Sequence, residues 1–290
     1  MMSCILLYER YLRVRICLQI VHTMAIDRLS ALISGLLPRL ALCCAGDPAG
    51  LQPGRGDGRG LVIHLLVVGA MSIDDGRGEA VLTAPAVMVL RDDVVLRFAR
   101  AGNAVSLMSA EIAFDGPAGE MLVQAFAQPV IAGLESAGTD LTHLLALIRG
   151  ELQEPRCGRQ ALLSRAGEIL LITVLRHLIA RPGSAAGILR ALADERIARA
   201  VVAIHERPAA AWSLESLAEC AGMSRTAFAQ RFRVEMGQTP GGYLAGLRLA
   251  IAERSIDRGE GLKRAARSAG YRSPAALSRA LGRRRGRASA

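Results

Sequence analysis

Apolar positions along the chain change their period more than once. Over residues 26–37 (IDRLSALISGLL) they recur every three to four residues, the spacing of a helix that buries one face. Residues 46–60 are rich in Gly, Pro and Asp and predict a loop. Short apolar or alternating runs follow at 61–69, 72–80, 81–91, 94–100 and 104–114. Asp75-Gly76, Pro85, Asp92-Asp93 and Gly102-Asn103 break them, each a turn signal between strands. So many closely spaced strands predict an antiparallel barrel or sandwich. The helical period returns in three amphipathic segments, 119–134, 141–152 and 159–181. Pro182-Gly183 stops the last of them, and residues 182–192 read as a linker.

The last hundred residues are helical throughout. Asp194 precedes residues 195–207 as a cap, with Ile197, Val201 and Ile204 on one side, and Pro208 ends that helix. His205, near its C-terminus, is expected at the surface, where the helix dipole favours the charged ring. Ser213 caps a helix whose inner face is Leu214, Leu217, Ala218 and Ala221, and Gly222 closes it. Ser224 opens the next helix, which carries Phe228 and Phe232 one turn apart and Thr226, Gln230 and Arg233 on the opposite side. Helix, glycine turn, helix with a polar outer face is the layout of a helix-turn-helix DNA reader. Thr239-Pro240 starts a further helix that runs toward Gly259. Residues 262–287 then repeat the plan, with Gly270 as the turn, Ser273-Pro274 as the restart, and Leu277 and Leu281 in the places of the two phenylalanines.

Charge sharpens this picture. The 290-residue chain has a formal net charge of +10, and residues 188–290 hold 19 Lys and Arg against 9 Asp and Glu. The rest of the chain carries 17 of each, so the whole excess sits in the helical third, where phosphate backbones would attract it.

The first helix-turn-helix resembles the AraC/XylS family of bacterial transcription regulators. The residues that carry the likeness are Leu217-Ala218, Gly222-Met223-Ser224, Phe228, Arg231-Phe232, Gly237, Thr239-Pro240, Tyr243-Leu244 and Arg248. A second match lies in Ala265-Ala266, Gly270-Tyr271, Ser273 and Ser278-Arg279-Ala280. It departs from the family in having leucines at the aromatic positions and in closing with Arg283-Arg284-Arg285 rather than a Gly, Pro and Arg segment. The strands before the helices resemble the cupin-type effector domain of one branch of that family. The resemblance implies an α+β chain: a cupin-like β-barrel with trailing helices over 24–181, then an all-α DNA-binding domain over 193–290 with two helix-turn-helix motifs on a connecting helix. It implies a cytoplasmic, bacterial regulator that contacts double-stranded DNA and RNA polymerase. A small-molecule effector in the barrel and a homodimer through the helices after it complete that expectation. The base-facing and phosphate-facing positions of the resemblance fall on Arg225, Thr226, Ala229, Gln230 and Arg233 in the first reader. In the second reader the side chains expected to reach DNA by their own chemistry are Arg272, Ser278, Arg279, Arg283, Arg284 and Arg285, the last three suited to phosphates.

Other chemistry has little support. His64 is a single histidine with none following before His143, and one imidazole cannot hold a catalytic metal. It is expected to be a satisfied core histidine. Metal-binding cupins resemble a pattern with His-x-His and a later His, and Val94-Val95 stand where that family often has Pro-His. No nucleophile–base constellation stands out, so the expectation is a protein without cofactor, metal or catalysis. The rival is a cupin-like enzyme carrying a DNA-targeting domain. Cys4, Cys17, Cys43, Cys44, Cys157 and Cys220 form no CxxC pair, which fits a reducing compartment better than a disulfide framework. Residues 1–23 hold an apolar run too short to span a bilayer, followed rather than preceded by basic residues. They read as an upstream extension before a start at Met24, or as an interfacial amphipathic helix.

Overall fold

The computed structural model describes residues 27–46, 56–74, 78–100, 105–134, 138–154, 156–181 and 187–288. The 1–23 extension, the Asp75-Gly76 and Gly102-Asn103 turns and residues 182–186 of the expected linker lie outside them.

Helix α1 (Arg28–Leu36) is capped by Asp27 and buries Leu29, Leu32 and Leu36. Strands β1 (Pro38–Gly46), β2 (Leu61–Val68), β3 (Ala70–Asp74), β4 (Glu79–Thr83), β5 (Ala86–Arg91), β6 (Arg97–Arg100) and β7 (Ser106–Phe114) follow. Then come α2 (Gly119–Gln124) and β8 (Val130–Gly133). A five-stranded sheet, in the order β1-β7-β2-β5-β8, packs over a three-stranded one, β4-β3-β6. All pairings are antiparallel. Period-two alternation explains why β2 is buried along most of its length. Val62 and Leu66 face the small sheet, in a core with Met71, Ile73 and Met88, while Leu61, Ile63 and Leu65 face the helices.

Two stretches of the β region differ from the sequence reading. Residues 119–134, expected as one helix, are α2 followed by β8, because Pro129 interrupts the helical run and the free edge of β5 takes Val130–Gly133 in register. β1, which contains Cys43 and Cys44, pairs with β7 and gave no clear strand signal of its own.

Helices α3 (Gly138–Gln153) and α4 (Arg159–Ile179) trail the sheets as expected. α4 ties itself to the sheet edge: His177 Nε2 donates to the Gly133 carbonyl at 2.9 Å and Arg181 donates to the same oxygen at 2.8 Å. Residues 188–192, expected as linker, belong to α5 (Ile188–Ala193), whose Ile188, Leu189, Ala191 and Leu192 are buried. α6 (Glu195–Glu206), α7 (Leu214–Ala221), α8 (Arg225–Met236), α9 (Pro240–Asp257), α10 (Leu262–Ser268) and α11 (Pro274–Ala288) complete the chain.

The apolar cores divide unevenly. One continuous cluster runs from the helix side of the large sheet through α1, α4, α5 and α6 to Phe228, Phe232 and Leu247. A separate small cluster holds Leu249, Ala252, Ala265, Ala266, Ala269 and Leu277. The first helix-turn-helix is therefore welded to the N-terminal domain, whereas the second has a core of its own.

Candidate nucleic-acid interface

The first reader is built as its sequence signals direct, except that Leu214, expected on the inner face of α7, is 43% exposed while Leu217, Ala218 and Ala221 are buried. Ser213 accepts from the Ser216 N–H, and Ser216 returns the bond to the Ser213 N–H, a reciprocal cap. Gly222 closes α7 in the left-handed region at φ 62°, where a side chain is disfavoured. Ser224 caps α8 through the Ala227 N–H. Phe228 and Phe232 are fully buried with ring centroids 5.5 Å apart, and Phe232 meets Tyr243 of α9 at 5.8 Å. These edge-on contacts fix the roll of α8 and leave Arg225, Thr226, Gln230 and Arg233 exposed on its outer side, with Ala229 half-buried beside them.

The second reader repeats the design with smaller residues. Gly270 sits at φ 75°, and a Cβ there would stand 2.6 Å from the Ala209 Cα, so only glycine fits the turn. Leu277 is fully buried and Leu281 half-buried on the inner side of α11. Arg272, Ser278, Arg279 and Arg283 are exposed. The 18 residues of α9 separate the two readers by ~27 Å at 1.5 Å per residue, comparable with one ~34 Å turn of duplex.

The arginines sort by what they touch. Among the described residues, Arg225, Arg233, Arg272, Arg279 and Arg283 pair with no carboxylate. Arg231 is instead held by Asp194 at 2.8 Å, and Asp194 also caps α6 through the Arg196 and Ile197 N–H groups. Arg248 donates to the carbonyls of Pro208 and Ala210, pinning the loop before α7. Arg284 lies seven residues beyond Leu277, on the inner side of α11, and binds Glu120 and Glu253. The run Arg283-Arg284-Arg285 suggested three equivalent cations. Helix phase separates the exposed Arg283 from Arg284, and the Arg285 side chain lies outside the described ones.

His205 departs from expectation. It is half-buried, with Nε2 2.6 Å from the hydroxyl of the fully buried Tyr243. Burial pushes its pKa down to about 4, outweighing the helix terminus, and burial also raises the Tyr243 phenol. His64 is buried in the same neutral manner, Nδ1 to Ser109 Oγ at 2.7 Å and edge-on to Phe98, with its pKa down to about 4. The unfolded chain takes up protons at these rings near pH 6.5 while the folded one does not. Stability should be level above pH 6.5 and fall between 6.5 and 4, by at most ~1.4 kcal/mol per pH unit per ring. Urea unfolding at pH 7 and pH 5 should show a smaller loss for His205→Gln than for the parent. An equal loss would place His205 outside the cause.

Among the described residues no group of three or more His, Cys, Asp or Glu is placed to hold a metal, and no helix is long and apolar enough to cross a membrane.

A β-domain followed by two helix-turn-helix units on one connecting helix defines a DNA-binding regulator. Comparison with known proteins agrees: a cupin family model matches residues 27–180, and a helix-turn-helix domain model matches residues 217–288. A protein of Streptomyces lividans described as an AraC-like transcription regulator is 31% identical over 231 residues, covering 73% of this chain and 76% of its own. A Streptomyces antibioticus protein of the same description is 33% identical over 203 residues, covering 68% and 66%. The RCS-specific HTH-type transcriptional activator RclR of Escherichia coli is 28% identical over 222 residues, covering 74% and 78%. The chain belongs to the AraC-like family of transcription regulators and is a DNA-binding regulator of transcription.

Proposed function

We propose that α8 and α11 enter successive major grooves on one face of a promoter. Arg225, Thr226, Ala229 and Gln230 meet base edges in the first groove, Ser278 and Arg279 in the second, and Arg233, Arg272 and Arg283 grip phosphates. The observation that carries this reading is the set of exposed, unpaired arginines on both outer helix faces, while other arginines of the same domain are tied into ion pairs or backbone clamps. Phosphate contacts made by such groups release counterions, so binding should weaken steeply with salt.

The N-terminal domain would report to this reader. An open cleft of about 570 Å³ against β1, β2 and β7, lined by Arg39, Leu61, Asp92 and Glu111 among others, offers room for a small effector. Leu147 of α3 and Ile169 of α4 are exposed and would serve a homodimer contact. Contact with RNA polymerase, action in the cytoplasm and the absence of chemistry belong to the same reading. His64 Nδ1 is engaged by Ser109 inside the core, which supports the core-histidine reading over the enzyme alternative.

Footprinting on promoters near its gene tests the reading: two protections about one turn apart are expected. On the best site, Gln230→Ala should lose ~1–3 kcal/mol and relax preference at one or two base pairs. An equal loss on every sequence would assign Gln230 to phosphate.

A further inference from the structure

The flank of α8 is anchored by charge. Arg231 follows Gln230 in the chain, and its Nε and Nη2 both lie 2.8 Å from Oδ2 of Asp194, the cap of α6. Asp194 spends its other oxygen on that cap, accepting from the Arg196 and Ile197 N–H groups at 2.9 and 3.1 Å. One turn further along α8, Glu235 divides its oxygens in the same way. Oε1 lies 3.3 Å from Arg231 Nε, and Oε2 accepts from Arg190 Nε of α5 at 2.7 Å. Arg190, Glu235, Arg231 and Asp194 thus form a chain of alternating charge that ties α8 to the two helices before it. The Asp194 and Glu235 side chains are only 14% and 12% exposed, so water competes little for their oxygens.

Phe228 and Phe232 fix which side of α8 faces inward, but a helix gripped along one line can still tilt about it. Arg231 and Glu235 hold a second line on the flank toward α5 and α6. Hydrogen bonds to base edges need donor and acceptor within ~2.7–3.2 Å, so a small tilt is enough to lose them. We propose that Arg231, clamped by Asp194 and Glu235, is a positioning residue for base reading: it sets the tilt of α8, and with it the reach of Thr226 and Gln230, without gripping DNA itself. This role rests on the base reading assigned above to α8. A guanidinium on a recognition helix is ordinarily free to take a phosphate. Here two carboxylates already hold it, whereas Arg225 and Arg233 on the same helix pair with none among the described residues.

The test uses the full chain and three duplexes: the two-part site found by footprinting, and that site scrambled under α8 or under α11. The readout is the ratio of affinities for the intact and the scrambled duplex. Partial unfolding, or a change in overall charge, alters both affinities alike and leaves the ratio unmoved. Arg231→Gln and Glu235→Gln should each lower the ratio for the α8 half about two- to fivefold, the range that an ion pair is worth, and leave the ratio for the α11 half unchanged. The salt slope of Arg231→Gln should equal that of the parent. A slope flatter by about 0.9, with equal losses on all three duplexes, would make Arg231 a phosphate contact and overturn the positioning role. So would ratios that both variants keep at the parent value while the parent itself discriminates. A parent protein with no preference for the intact α8 half would instead overturn the base reading by α8, and the positioning role with it.

Discussion

Phe232→Ala should cost ~3–5 kcal/mol of folding stability, a large share of the ~5–15 kcal/mol that holds a typical domain together. Phe232 has no exposed surface, and its ring links Phe228 of the same helix to Tyr243 of α9. Those three rings form the end of the core that continues into α5, α6 and the helix side of the large sheet. The cavity would therefore open where three parts of the molecule meet, with little freedom to collapse. Urea unfolding gives the measurement, and a loss below ~1 kcal/mol would contradict the packing. Leu281→Ala in the second reader should cost less, since Leu281 is only half-buried and borders a core made largely of alanines. DNA binding by Phe232→Ala should fail on every sequence, unlike Gln230→Ala, which should alter preference while the fold stays intact.

Scrambling the half-site under α8 should cost far more affinity than scrambling the half under α11. A wrong base pair costs ~1–3 kcal/mol and such costs roughly add, so scrambling several positions should bring binding down to its non-specific level. The first reader presents Arg225, Thr226 and Gln230, three side chains able to hydrogen-bond base edges. The second begins with Pro274, Ala275 and Ala276, which can make only apolar contacts, and leaves Ser278 and Arg279 to read. Its remaining cations suit phosphates, which position without specifying. Titration of each scrambled duplex at fixed salt decides the matter. A greater loss from the second half would reverse the assignment.

Much of this was present in the chain before folding was considered. The caps at Ser213, Ser224 and Thr239, the closing glycines and the paired phenylalanines are local devices. Each acts through neighbours three or four residues away, and so each is written in the spacing. The clustering of positive charge in the helical third was equally plain. What the pattern could not show depends on partners far along the chain. β1 and β8 are strands because β7 and β5 present free edges to them, with no strong propensity of their own. His205 is held neutral by its burial beside Tyr243, thirty-eight residues later, against the preference of its helix end. Arg283 and Arg284 are alike in sequence, yet one faces outward and the other is held by Glu120, 164 residues away. Local periodicity decides which face of a helix is buried, but only the tertiary structure decides what that face meets. For the charged residues of this protein, that meeting determines which are free to bind and which are already bound.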